Sequence, residues 1–337
     1  YLHIDKNKYI TFIDLAGHEK YYKTTIYGIN SGLVDYAILL IGSNMGILRM
    51  TKEHLGVIKA LNIPFFVVFT KIDICPPNVL ERNMNEMKKL IVKNFKKYTY
   101  DFNNYQDYNS KLIKIFTLSN VSGKGLNEFR NFISNLNNLQ IKINNSILKD
   151  KDKIFWIDEC FIVKGIGLVL SGIMKKGKLK INDKLLLGPI NNKFIEIQIK
   201  SIHDNFRKHI DYLSPNISGC LNIKVLNKET LVRKDIKKGM VILNKDINKK
   251  VSYSFRADIV ILQHPTTIKL NYEPVIHCGK ITQSAKIIKM TKEQLRMGDK
   301  DIITFKFKYK PEFIEIDDAI IFREGKTKGI GKIIEIL

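Results

Sequence analysis

Asp14-Leu15-Ala16-Gly17-His18-Glu19 closes the apolar run Tyr9-Ile10-Thr11-Phe12-Ile13. A short β-type run that stops at a carboxylate, a glycine and a histidine is laid out like a strand delivering polar groups to a ligand at its C-terminal end. The ligand that suits this chemistry is a nucleotide γ-phosphate with its Mg²⁺. Asp14 supplies a hard oxygen able to hold a Mg²⁺-bound water, and Gly17, without a Cβ, lets its N–H approach a phosphate oxygen. His18 is then placed to orient or polarise an attacking water. D-x-x-G alone is a weak signal, because a strand end, a tight turn and a surface histidine satisfy it equally well.

Two further stretches strengthen the reading. The run Ile63 to Phe69 ends in Thr70-Lys71-Ile72-Asp73, and Ile113 to Leu118 ends in Ser119-Asn120-Val121-Ser122-Gly123. Both are buried-type strands running into polar loops with a helix beyond, and in a parallel sheet the three loops share one edge. The middle loop reads as a base site. Asp73 can accept hydrogen bonds from the N1–H and exocyclic amine of guanine, donors that adenine does not present in that arrangement, and the stem of Lys71 can cover the purine face. The backbone amides of Asn120 and Val121 would contact the guanine carbonyl. A solvated Lys71/Asp73 pair on an ordinary loop is the competing reading.

The remaining pattern divides the chain. Glu19 to Asn30 mixes aromatics with Lys23, Thr24 and Gly28, and reads as a helix able to change its packing. Tyr36–Ile41 reads as a strand, and Thr51 as the cap of a helix carrying Leu55, Ile58 and Leu61. Pro76-Pro77 open a longer helix with Leu80, Met84, Met87 and Ile91 at helical spacing. Lys97 to Lys111, aperiodic and rich in Tyr, Asn and Lys, reads as a surface insertion whose tyrosines could stack on RNA bases. A last helix carries Leu126, Phe129, Ile133 and Leu136. Asn137 to Asp152 then reads as a linker.

From Lys153 short alternating runs separated by glycine turns predict β-barrels, with Gly165-Ile166-Gly167 as a hairpin turn and a new domain from near Val251. Gly165-Ile166-Gly167 lacks the following helix and third glycine of a dinucleotide loop. His264, His277 and Cys278 occur singly on strand-like segments, so no metal site is expected there. Arg323, Lys326 and Lys328 could contact phosphates or form a solvated edge.

With 337 residues, two or three domains are expected. The four cysteines, Cys75, Cys160, Cys220 and Cys278, form no C-x-x-C pair, which fits a reducing compartment without zinc or a disulfide framework. No apolar run approaches the roughly 18 residues that span a bilayer. A formal charge of +23 favours a polyanionic partner, although a Lys-, Asn- and Ile-rich composition throughout could reflect an A/T-rich genome instead.

Asp14 to Glu19 resembles the D-x-A-G-H-E signature of the translational GTPases, the group of elongation factors Tu and 1-alpha. Phe12 to Tyr21 with Lys23-Thr24-Thr25, and Gly42-Ser43-Asn44-Met45-Gly46-Ile47 with Met50 to Gly56, are similar to the branch of GTP-binding proteins 1 and 2. Gly165 to Gly172 and Leu186-Leu187-Gly188-Pro189 resemble that family's second domain; the runs around His264, Val275 and Phe322 to Gly329 resemble its third.

The resemblance implies an α/β P-loop GTPase domain, incomplete at its N-terminus, followed by two β-barrel domains. The expected boundaries are residues 1–140, a linker at 141–152, and barrels at 153–248 and 249–337. It implies GTP or GDP held by Asp14, Leu15, Ala16, Gly17, Thr70, Lys71, Asp73, Ser119, Asn120 and Val121, with His18 catalytic and Mg²⁺ held by Asp14 through water. One departure is Thr70, where the general N-K-x-D motif has asparagine; a hydroxyl offers fewer hydrogen bonds, so modest nucleotide affinity is expected.

No G-x-x-x-x-G-K-[ST] precedes Asp14, and Gly325-Lys326-Thr327 lies in a β-rich tail with Ile320 where the first glycine belongs. In the fold resembled, the first strand sits in mid-sheet, so its omission would leave unpaired edges, and a longer protein carrying the phosphate loop and first switch upstream is expected.

The implied activity is GTP hydrolysis to GDP and phosphate on the ribosome. The implied partners are the ribosome and its RNA and aminoacyl-tRNA, with a link to ribosome surveillance and RNA turnover. A cytoplasmic monomer is expected, without membrane or DNA partners. The alternatives are a conventional elongation factor 1-alpha-like tRNA carrier and a non-enzymatic RNA-binding protein on a GTPase scaffold.

Overall fold

Residues 2–5, 8–31, 34–95, 98–101, 112–136, 152–226, 231–247, 251–325 and 327–337 are described by a computed structural model. They fall into two compact units, Tyr1–Gly28 with Val34–Leu139, and Ile29–Leu33 with Gln140–Leu337.

In the first unit, β1 (Leu2–Asp5) and β2 (Lys8–Ile10) form an antiparallel hairpin. Strands β3 (Ala37–Gly42), β4 (Phe65–Thr70), β5 (Tyr98–Asp101) and β6 (Leu112–Thr117) form a parallel sheet in the order β3-β4-β6-β5. The helices are α1 (Tyr22–Ser31), α2 (Arg49–Ala60), α3 (Pro77–Phe95) and α4 (Leu126–Ser134). Val67 and Phe69 of β4 pack with Leu55 and Ile58 of α2 and Met87 and Ile91 of α3, whereas Phe66 and Val68 pack with Phe132 and Ile133 of α4. Helices therefore cover both sheet faces, which is why the β4 sequence is an unbroken apolar run instead of an alternating one.

Several expectations are corrected in detail. The strand over Tyr9–Ile13 ends at Ile10, where the hairpin ladder stops at the Leu2↔Ile10 pair; beyond it Phe12 and Ile13 are exposed, without a ladder partner among the described residues. Thr51 is the third residue of α2, and its hydroxyl accepts the Leu48 N–H at 3.3 Å, so Leu48 and not Thr51 occupies the cap. The insertion read over Lys97–Lys111 contributes an edge strand, β5, at its start. Residues 102–111, with their possible RNA-stacking tyrosines, and most of the linker, 137–151, lie outside the described residues.

The second unit contains two closed barrels. The first uses β7 (Ile154–Val163), β8 (Gly167–Lys176), β10 (Lys184–Ile190), β11 (Lys193–Asp204), β14 (Ser218–Val225) and β15 (Val241–Leu243). The ring β10-β15-β7-β8-β14-β11 closes through β10 and β11. Three two-residue strands decorate it: β9 (Leu179–Lys180), β12 (His209–Ile210) and β13 (Tyr212–Leu213). The β7–β8 turn holds Gly165 and Gly167 at φ +78° and +100°, backbone that a side chain resists.

The second barrel is the ring β16 (Ser254–Gln263), β19 (Lys300–Phe307), β18 (Ile281–Lys289), β17 (Val275–Cys278), β20 (Ala319–Glu324) and β21 (Thr327–Ile336), closed by β16 and β21. Lys328 of β21 is buried, which removes it from any solvated edge, and Lys326 lies outside the described residues.

A seam joins the barrels. Phe313 packs with Ile154, Trp156, Ile173, Val241 and Leu243, and Lys175 Nζ lies 2.5 Å from Asp318 Oδ1 and 2.8 Å from Glu315 Oε2. Lys280 reaches Asp158 at 2.7 Å. Burial alone would lower the Lys175 pKa, but the Asp318 and Glu315 carboxylates override it and hold the ammonium above its ordinary value.

Candidate functional site

Parallel strands deliver their C-terminal ends to one edge of a sheet. At that edge the Ser43 N–H donates to the Thr70 carbonyl at 2.9 Å, and the Leu118 N–H to Phe69 at 2.9 Å. The Ile72 N–H reaches the Leu118 carbonyl at 3.5 Å, so the Thr70–Asp73 and Ser119–Val121 loops are brought together as neighbours.

Thr70 is half-buried, and its hydroxyl donates to the Ile41 carbonyl at 3.4 Å, tying the loop to the adjacent strand. Lys71 turns the chain through left-handed backbone, φ 60° and ψ 38°, a strained conformation for a residue other than glycine. Asp73 follows in a short 3₁₀ turn, and both Lys71 and Asp73 are exposed at the edge. A carboxylate presented this way can accept paired N–H donors from outside the chain.

Ser119 is fully buried, and its hydroxyl accepts the N–H groups of Val121 and Ser122, each at 3.1 Å. This serine turn fixes the loop locally. It also engages the Val121 amide, so a base carbonyl would have to share or displace that bond; the Asn120 N–H makes no such bond among the described residues. Val121 itself is 86% exposed at this edge.

The Asp14 stretch has no regular structure from Thr11 to Gly17. Asp14, Ala16, Gly17 and His18 are exposed, Leu15 half-buried. The loop is held to α1 by the Thr25 hydroxyl, which donates to the Ala16 carbonyl at 2.6 Å, and Leu15 packs closely on Gly28. His18 Nδ1 accepts the Lys20 N–H at 3.1 Å, so the neutral ring carries its proton on Nε2 and offers a donor outward. Arg49 of α2 lies 3.7 Å from Glu19.

Gly17 is informative about what the loop accommodates. Its φ is not in the positive range, and a Cβ there would meet nothing within 4 Å. Backbone conformation and internal packing both leave this position open, so a group from outside the chain has room to approach it closely. A phosphate oxygen fits that space, and the exposed Asp14 carboxylate fits a hydrated Mg²⁺.

The hydrogen bonds by which Thr25 holds the Ala16 carbonyl and Asn83 holds the Ser43 carbonyl are contacts that patterns alone miss. Asn83 gives a signal in principle, a carboxamide on the apolar stripe of α3, where Met87 lies four residues on.

Comparison with known proteins bears on this arrangement. A family profile described as the elongation factor Tu GTP binding domain matches residues 3–139. GTP-binding protein 1 of Xenopus laevis is 39% identical over 344 residues, covering 98% of this chain and 50% of that protein. The chain belongs to the translational GTPase family. GTP-binding protein 2 of Homo sapiens is 33% identical, covering 98% of this translational GTPase chain and 56% of the relative. The chain thus spans about half the length of the curated relatives it matches. The selenocysteine-specific elongation factor of Methanocaldococcus jannaschii is 30% identical over 94% of the chain and 62% of its own length. Among solved structures, apo translation elongation factor SelB of Methanococcus maripaludis superimposes with a TM-score of 0.70 at 19% identity, covering 96% of this chain and 70% of that one. The likeness confirms the fold of a GTPase domain followed by two barrels.

Proposed function

We propose that this chain is part of a GTPase that hydrolyses GTP to GDP and phosphate on the ribosome, in elongation or in ribosome surveillance linked to RNA turnover. The observation that carries the reading is Asp73, exposed beside the Ser119–Val121 loop at the C-terminal edge of a parallel sheet, in a chain of this family.

Asp73 reads the N1–H and exocyclic amine of guanine, Lys71 covers the base, and the Asn120 and Val121 amides meet its carbonyl. Asp14 would hold Mg²⁺ through a water, and the ion when bound would supply charge neutralisation for the transferring phosphoryl group. Gly17 approaches the γ-phosphate. His18, with its proton on Nε2, orients the attacking water by donating to it, without acting as a base. Loss of γ-phosphate contact would then release the Asp14–His18 loop and the helix it is tied to through Thr25.

The proposed domains are 1–140, 153–248 and 249–337, with a linker at 141–152. The proposed partners are the ribosome, its RNA and aminoacyl-tRNA, and the proposed state is a cytoplasmic monomer. Support comes from the charge of +23 and from relatives named as elongation factors.

His18→Ala in the native protein tests the enzyme reading. Ribosome-stimulated GTP hydrolysis should fall by about 10²-fold or more, with GDP affinity retained. An unchanged rate would point instead to a non-enzymatic ribosome- or RNA-binding protein.

A further inference from the structure

Helix α3 turns Leu80, Met84, Met87 and Ile91 toward the sheet, and Asn83 lies among them with only 6% of its surface exposed. A carboxamide so placed must find hydrogen-bond partners. Its Nδ2 donates to the Ser43 carbonyl at 2.8 Å, just past the end of β3. The same group packs on Gly46, which has φ +68°; a Cβ there would lie 2.9 Å from Asn83 Oδ1 and 3.0 Å from Nδ2. The loop after β3 therefore closes around this one side chain.

Ser43 is completely buried, yet its hydroxyl has no hydrogen-bond partner among the described residues. Its backbone does the holding. The carbonyl accepts from Asn83, and the N–H donates to the carbonyl of Thr70 at 2.9 Å. The Thr70 hydroxyl returns to Ile41 at 3.4 Å. A continuous chain of hydrogen bonds thus runs from α3, through the loop after β3, to the first residue of the base loop. That loop needs outside support: Thr70 offers fewer bonds than an asparagine, and Lys71 holds strained backbone.

We propose that Asn83 is a positioning residue for guanine recognition, holding Ser43 so that Thr70 and Asp73 keep the register in which the carboxylate meets the base. The proposal rests on the reading of Asp73 as the base-selecting group.

The test compares equilibrium binding of GDP and IDP by the native protein with that of Asn83→Leu and Asn83→Ala, with thermal unfolding of each sample. Inosine lacks the exocyclic amine, so the GDP/IDP ratio reports the Asp73 contact and is insensitive to phosphate binding. Wild type should favour GDP by about tenfold or more. Both variants should narrow that ratio by about threefold or more. Asn83→Ala removes the donor without adding bulk or charge to the core, so it serves if Asn83→Leu does not fold. A folded variant with lower thermal stability, or with both affinities reduced equally, but an unchanged ratio would make Asn83 a packing residue and overturn the proposal. A wild type unable to tell GDP from IDP would instead overturn the Asp73 reading, a result distinct from discrimination that survives substitution.

Discussion

The hydroxyl of Thr25, in α1, donates to the carbonyl of Ala16 at 2.6 Å, fastening a helix to a loop that has no regular structure of its own. Thr25 is 4% exposed and also lies 3.3 Å from the Tyr21 carbonyl. Thr25→Val keeps the shape and removes the donor, so unfolding free energy should drop by about 1 kcal/mol. GTP turnover should drop more than GDP affinity, because the base loops are untouched. Calorimetry alongside single-turnover hydrolysis checks this, and equal loss in both would argue against a specific role for the tie.

Ser119→Ala removes the acceptor shared by the Val121 and Ser122 amides. The loop should then sample other conformations, lowering GDP affinity by about tenfold and stability by about 1–2 kcal/mol. Titration calorimetry reads the first and denaturant unfolding the second. If affinity rises, the Ser119 bond to Val121 is instead an obstacle that the base must displace.

At the barrel seam, burial pushes the Glu315 carboxyl up, but Lys175 and then Lys176 outweigh it and hold the group below its ordinary value of 4.5. A carboxylate depressed in the folded state contributes stability above its unfolded value, and that contribution is lost as pH falls through the folded one. Glu312 works the other way, since its burial raises it. Taking wild type minus Glu315→Gln cancels Glu312. The difference should be about 1–3 kcal/mol at neutral pH and should close as the pH drops below the ordinary value. Urea unfolding across that range measures it; a gap independent of pH would mean that the carboxylate charge is not what stabilises the seam.

The parallel sheet was legible because β4 is a continuous apolar run and β6 is one broken only by Lys114, both ending in polar loops, a pattern with few other solutions. The positions of Asp73 and Ser119 were legible for the same reason, each standing just past a strand end. What escaped the pattern has a common cause in distance. Lys175 meets Asp318 across 143 positions, and Asn83 meets Ser43 across 40, pairings that no local periodicity encodes. Strand β5 escaped because Tyr98–Asp101 carries its strand character at a sheet edge, beside an aperiodic polar stretch. The run Thr11–Ile13 misled in the opposite sense: its composition suits a strand, but a strand also needs a partner, and the ladder ends at Ile10.

Phe313 gives the seam between the barrels a consequence for how the molecule opens. Its ring belongs in sequence to one barrel but packs with Trp156 and Leu243 of the other. Neither barrel can unzip through this region without wetting apolar surface that its neighbour relies on. Amide hydrogens flanking the seam, on β7 and β15 and around Phe313, should therefore exchange with solvent at one shared opening free energy, as a single foldon that disregards the boundary drawn by chain topology.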